Sequence, residues 1–329
     1  MFSASEDGTV KAWDIRTAGK SEATFGQSNE EIWSMALGYD GNLCATGKGH
    51  TVEIYDIRKA GRALGTYSEC HTDAVTQVAF NPHKRSFLVT GSEDGLMCFF
   101  DTGVAAEEDA LDSVMNAECA VRTVGFFGRE GEGLYCCTNT ETLSLWHAHS
   151  AQRFAELGSV RSVAREAGPT EIAGFGQSAS NGGAKGWGVS VDYIVGCRYE
   201  AQAETLWVVA GGFDGRLCLA SVAPGAITPK AVLEGGHREQ IRTFDWLGST
   251  IVTGGEDAKL CLWTAPGSRA DGGSMQNRGT QSAGFGDAVA GGRGTASGAG
   301  ALQSGGGARR GVKRAGRAFQ PYDLDGRKR

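Results

Sequence analysis

The stretch IVTGGEDAKLCLWT at 251–264 and its counterpart LVTGSEDGLMCFFD at 88–101 decide the fold. Each begins with a short apolar run that ends in Thr-Gly. An acidic turn follows, then an alternating run that closes on a large aromatic, Trp263 or Phe100. Two such runs about an acidic turn read as a β-hairpin, because Asp bonds its own backbone there and Gly accepts a positive φ. The aromatic that ends the second strand has the bulk to fill a wedge between neighbouring sheets.

Working outward, the pattern recurs as SASEDGTVKAWD (3–14), LCATGKGHTVEIYD (43–56), LYCCTNTETLSLWH (134–147) and VVAGGFDGRLCLAS (208–221). Segments ahead of it supply an inner strand at 32–37, 75–80, 121–127, 189–196 and 241–246. Segments behind it supply an outer strand at 22–25, 63–67, 153–157 and 231–233. Four strands in a unit of roughly 40–45 residues is the arithmetic of a β-propeller blade. Such a blade is a small twisted sheet, apolar on both faces because it packs between two others. The expected class is therefore all-β.

These units resemble the WD-repeat family. In that family a His ahead of the inner strand, a Ser or Thr on the second strand, the turn Asp and the closing Trp form a hydrogen-bonded tetrad. The last unit matches at His237, Thr253, Asp257 and Trp263. The third offers His71, Thr90 and Asp94, with Phe100, which cannot donate, in the Trp place. The first offers Ser3, Asp7 and Trp13 without a His. Stretches 71–101, 191–196 and 235–263, with the acidic EEDAL at 107–111, are similar to the group of that family represented by WD repeat-containing protein 89. The similarity covers most of 30–264 and is weak in 158–188 and in the C-terminal residues. It implies a non-catalytic protein-interaction scaffold with protein partners on the propeller rims. Plant members of the group imply a link to ribosome assembly.

Counting units gives five full blades plus a partial first blade. Ser3 falls in the second strand of a blade, so its inner strand is missing, and no convincing outer strand follows Trp263. Loss of one upstream segment of about one and a half blades explains both, and an intact form resembling the family has seven blades. Residues 1–264 are expected to form the propeller, interrupted by a flexible small-residue insertion at 158–188 whose end Trp187 docks. Residues 265–329 hold 17 Gly and almost no large apolar side chains, and are expected to be a disordered Gly/Arg-rich tail.

The net charge of −6 conceals an asymmetry, because residues 265–329 carry +7 and the remainder −13. The basic run Arg309, Arg310, Lys313, Arg314 and Arg317 is a candidate for RNA phosphates or for a nuclear address. This supports an alternative reading, a nuclear or nucleolar ribosome-assembly-associated factor with an RNA-contacting tail. A further alternative comes from WDIR (13–16) and YDIR (55–58). Arg16 and Arg58, each two residues after an Asp, resemble the box by which some propellers dock the adaptor of cullin-4 ubiquitin ligases.

Catalytic constellations do not emerge. The nine cysteines include no CxxC pair, and Cys98, Cys218 and Cys261 each lie four residues after an acidic turn residue. They read as small buried strand residues, kept reduced in an intracellular compartment. His147 and His149 have no clustered Cys or carboxylate to complete a metal site. Glu107-Glu108-Asp109 reads as a solvated loop. GFGQSASNGG at 174–183 lacks the Lys-Ser/Thr of a phosphate loop. The expectation is a non-enzyme with no catalytic, cofactor or metal site and no small-molecule substrate. No signal peptide and no apolar run of the ~18–20 residues needed to span a membrane is visible. The expected state is soluble and intracellular, cytoplasmic or nuclear.

Overall fold

A computed structural model of the protein describes residues 1–264 apart from 18, 27–29, 60, 105, 167–172, 176–186, 188–189 and 249. Among these residues six sheets follow one another along the chain. Blade 1 holds β1 (Phe2–Ala4), β2 (Val10–Trp13) and β3 (Ser21–Phe25). Blade 2 holds β4 (Ile32–Gly38), β5 (Leu43–Lys48), β6 (Thr51–Asp56) and β7 (Gly65–Tyr67). Blade 3 holds β8 (Val75–Phe80), β9 (Phe87–Ser92), β10 (Leu96–Asp101) and, after the one-turn helix α1 (Glu107–Ala110), β11 (Leu111–Asn116). Blade 4 holds β12 (Val121–Phe127), β13 (Gly133–Thr138), β14 (Thr142–His147) and β15 (Arg153–Ser159). Helix α2 (Val160–Glu166) and β16 (Ala173–Phe175) precede blade 5, made of β17 (Tyr193–Glu200), β18 (Thr205–Gly211), β19 (Leu217–Ala223) and β20 (Ala226–Leu233). Blade 6 holds β21 (Ile241–Leu247), β22 (Thr250–Gly255) and β23 (Leu260–Thr264).

Within each blade, consecutive strands pair antiparallel, as short acidic or Gly turns dictate. The first strands β4, β8, β12, β17 and β21 pack each against the next, and β1 packs against β4. The sheets therefore fan around the axis on which those strands lie. Because side chains alternate along a strand, each middle strand serves two cores. In β10, Cys98 and Phe100 join Val52, Ile54, Tyr67 and Val75 in the layer between blades 2 and 3. Met97 and Phe99 join Val121, Leu134 and Trp146 in the layer between blades 3 and 4. This is why the run LMCFF is apolar at every position rather than at every second one.

The Thr-Gly at the end of the second strand has a packing reason. A Cβ on Gly91 would lie 2.6 Å from Val121 Cγ1, and one on Gly47 would lie 2.6 Å from the Val75 carbonyl oxygen. The first residue of the next blade lands on this glycine, so only a bare backbone fits between the two sheets.

Three expectations are corrected. Blades 2 to 5 have four consecutive strands each, whereas blades 1 and 6 have three, so four full blades replace the expected five. Blade 1 lacks an inner strand and blade 6 an outer one among the described residues. The inner strand of blade 5 starts at Tyr193 rather than Val189. The insertion expected as a loop at 158–188 takes in the end of β15 and then α2, and β16 within it pairs parallel with β20 to give a fifth strand. Val160 and Ala164 of α2 are buried with Leu157 and Trp187 against blade 5, and this apolar contact holds the helix in place. No helix among the described residues is long and apolar enough to cross a membrane.

Candidate functional site

The polar clusters sit where the turn between second and third strands meets the residue ahead of the first strand. In blade 6 the backbone brings His237 beside the Asp257 turn, with Thr253 and Trp263 facing it from β22 and β23. His237 Nδ1 lies 2.9 Å from Asp257 Oδ1, and Nε2 lies 2.8 Å from Thr253 Oγ1. Trp263 Nε1 donates to the same Thr253 oxygen at 2.8 Å. A carboxylate only accepts, so Nδ1 carries the proton and donates to Asp257. Nε2 then accepts from the Thr253 hydroxyl, whose oxygen accepts from the indole. The chain runs one way, Trp263 to Thr253 to His237 to Asp257, and leaves neither imidazole nitrogen unpaired. Burial opposes ionisation of Asp257, yet donation from His237, the Arg238 amide and Lys259 holds its carboxyl down to about 2.

Blade 3 repeats three members. His71 Nδ1 is 3.1 Å from Asp94 Oδ2 and Nε2 is 2.7 Å from Thr90 Oγ1. Asp94 also accepts from the Thr72 and Leu96 amides, each at 2.9 Å. Burial lowers the His71 pKa, against the pull of Asp94. Phe100 occupies the Trp place and stacks on Tyr67, with ring centroids 4.5 Å apart. In blade 1 Trp13 Nε1 donates to Ser3 Oγ at 2.8 Å, but Asp7 accepts from Thr9 and takes no part in that pair.

The first-blade and second-blade arginines fold back on their own repeats. Arg16 Nε is 2.9 Å from Asp14 Oδ1, and Arg58 Nε is 2.9 Å from Asp56 Oδ1. Both form two-pronged forks, and both guanidinium groups face solvent. The basic residues Arg309, Arg310, Lys313, Arg314 and Arg317 lie outside the described residues.

Several contacts escaped the sequence reading. Glu107, expected in a solvated loop, stands in α1 and accepts from the Ser68 and Glu69 amides at 2.9 Å each. Glu141, at φ 61° in the blade 4 turn, is buried and accepts from Ile194 N at 2.5 Å and Arg122 Nη1 at 3.2 Å. It thereby ties blade 4 to the first strand of blade 5. In blade 2 buried Lys48 meets Glu53 at 2.9 Å, and Tyr55 donates to the other Glu53 oxygen. For Glu141 the only sequence signal was an acidic residue at a turn position where Gly or Asn is usual. All nine cysteines are thiols without a disulfide, and Cys137 Sγ lies 3.7 Å from Cys197 Sγ across blades 4 and 5. A cavity of about 230 Å³ opens beside the first strands, lined by Gln77, Thr123, Arg198, Arg242 and Asp245 among others. Arg242 Nε is engaged by Glu256 at 2.7 Å.

Comparison with known proteins agrees with this architecture. The family profile described as "WD domain, G-beta repeat" matches residues 61–101. The chain is 31% identical over 277 residues to WD repeat-containing protein GTS1 of Arabidopsis thaliana, covering 80% of this chain and 66% of that protein. It is 30% identical over 267 residues to the WD repeat-containing protein 89 homolog of Dictyostelium discoideum, covering 80% and 68%. It thus spans about two thirds of the length of these curated relatives. Among solved structures, a chain of "Crystal Structure of Mitotic Checkpoint Complex" matches with TM-score 0.59 and 14% identity, over 79% of this chain and 69% of that one. At that identity the likeness shows the fold alone. Sheets, repeats and relatives together place the chain in the WD-repeat β-propeller family.

Proposed function

We propose that the chain is a non-catalytic scaffold that binds other proteins through the rim on which the His-Asp turns lie. The observation that carries this is the division of labour between buried and exposed groups. The imidazole–carboxylate pairs that resemble catalytic dyads are closed on themselves, with both His side chains fully buried. On the same rim, large apolar side chains face solvent instead. Phe213, in the turn between β18 and β19, is 62% exposed, and Trp33, near the start of β4, is 55% exposed. Exposed aromatics with few rotatable bonds are the residues that anchor protein interfaces. The test is affinity purification of the full chain beside Trp33→Ala and Phe213→Ala, with melting temperature as control. Loss of specific partners at unchanged melting temperature is expected; an identical partner set in all three overturns the rim assignment.

Two finer roles belong here. The forks at Arg16 and Arg58 leave the third strands at the opposite rim and support docking to a cullin-4 ligase adaptor. Arg16→Glu with Arg58→Glu then abolishes adaptor binding. The +7 charge of residues 265–329 supports an RNA-contacting, ribosome-assembly-associated role, whose affinity falls steeply with salt and disappears on deletion of that segment.

A further inference from the structure

Blades 3 and 6 carry the same His, Thr and Asp, yet differ at two positions that touch each other. Blade 6 has Gly236 ahead of its His and Trp263 at the end of its third strand. A Cβ on Gly236 would lie 2.6 Å from the Trp263 ring and 3.1 Å from Cys261 Sγ. The indole therefore occupies the space that a side chain at 236 would need. In blade 3 the matching residues are Cys70 and Phe100, so the smaller ring leaves that space to a thiol. Cys98 matches Cys261 and pairs in register with Thr90, which puts its side chain beside the His71–Thr90 contact. As a result the sulfurs of Cys70 and Cys98 and a His71 ring nitrogen all lie within 4.8 Å of one another.

We propose that Cys70, His71 and Cys98 form a binding site for a thiophilic divalent cation, Zn²⁺. Tetrahedral zinc with bonds of ~2.3 Å to sulfur and ~2.0 Å to nitrogen needs ligand atoms about 3.5–3.8 Å apart, a contraction of at most about 1.3 Å. One edge of the His71 ring is already held by Asp94. Nδ1 donates to Asp94, which leaves the Nε2 lone pair for the metal in place of the Thr90 hydroxyl; a carboxylate behind a ligating imidazole is the usual supporting partner. Glu107, by accepting from the Ser68 and Glu69 amides, steadies the loop that presents Cys70. Cys98 and His71 are buried while Cys70 is half-buried, so the cation enters past Cys70. Binding is a ligand exchange without electron transfer: the hydrated ion sheds water ligands to solvent, two S–H bonds break with their protons passing to solvent, Nε2 gives up the Thr90 hydroxyl, and two Zn–S bonds and one Zn–N bond form.

The test is titration of the full chain, kept reduced with a phosphine, first with Co²⁺ and then with Zn²⁺. One equivalent of Co²⁺ is expected to give a thiolate-to-metal charge-transfer band that Zn²⁺ abolishes. Cys70→Gly, which installs the blade 6 residue, removes the band and weakens Zn²⁺ binding at least tenfold while leaving the metal-free melting temperature unchanged. Cys98→Ala removes it as well, and serves where Cys70→Gly fails to fold. Cys137→Ala, at the other close thiol pair, retains it. No band in the unaltered chain, or a band that persists in Cys70→Gly and Cys98→Ala, overturns the site.

Discussion

His237 is buried with both nitrogens engaged, so its removal leaves Asp257 and Thr253 short of a partner each. An unsatisfied buried polar group costs about 1–3 kcal/mol. His149, by contrast, is half-exposed and touches the Phe87 and Phe99 rings edge-on. His237→Ala is therefore expected to lower the urea midpoint by more than His149→Ala does, and equal midpoints contradict the tetrad's stabilising role. The pH dependence has a definite sign. The Asp257 carboxyl is held at about 2 in the folded chain, below the ~3.9 of an unfolded Asp. Its contribution is complete above about pH 4 and is lost as pH falls toward 2. The gap between the unaltered chain and His237→Ala should narrow through that interval.

At the scale of elements, blade-to-blade packing is set by glycine on the second strand. Gly91 accepts the Val121 side chain from β12 at a distance that leaves no room for Cβ. Gly91→Ala is expected to destabilise by about 1–3 kcal/mol through overpacking. Val121→Ala in the same chain should recover part of that loss, because it deletes the methyl groups that collide. Independent, additive effects in the double-mutant cycle would mean that the two blades do not meet there. The insertion at 158–188 makes a related point. Its small-residue composition reads as a loop, yet Val160 and Ala164 are enough to seat a helix once Leu157, Trp187 and blade 5 supply the opposing surface. Nothing in a window of ten residues reveals that surface.

For the whole molecule, the last strand has an exposed apolar face. Leu260 and Leu262 of β23 are 78% and 65% exposed, and among the described residues no strand pairs with the outer edge of β23. An unpaired, apolar edge is a template for association with another chain. Leu260→Lys with Leu262→Lys is expected to reduce self-association of the isolated chain in light scattering, with little change in melting temperature. Unchanged scattering would mean that this edge is covered in solution.

The amino-acid sequence by itself determined the blade, because a blade is a local object: period-two alternation, an acidic-Gly turn and a terminal aromatic all fall within about fifteen residues. It also determined which repeats carry His, Thr and Asp at matching positions. Only the tertiary structure decided how those groups are finished. Glu107 reaches back 39 residues to Ser68, and Glu141 reaches forward 53 residues to Ile194. Cys70 meets Cys98 because Phe100 stands where blade 6 has an indole. Such contacts join separate strands or blades and have no periodicity to read. They depend on which side chain happens to leave space beside which other, and that is settled when the sheets pack.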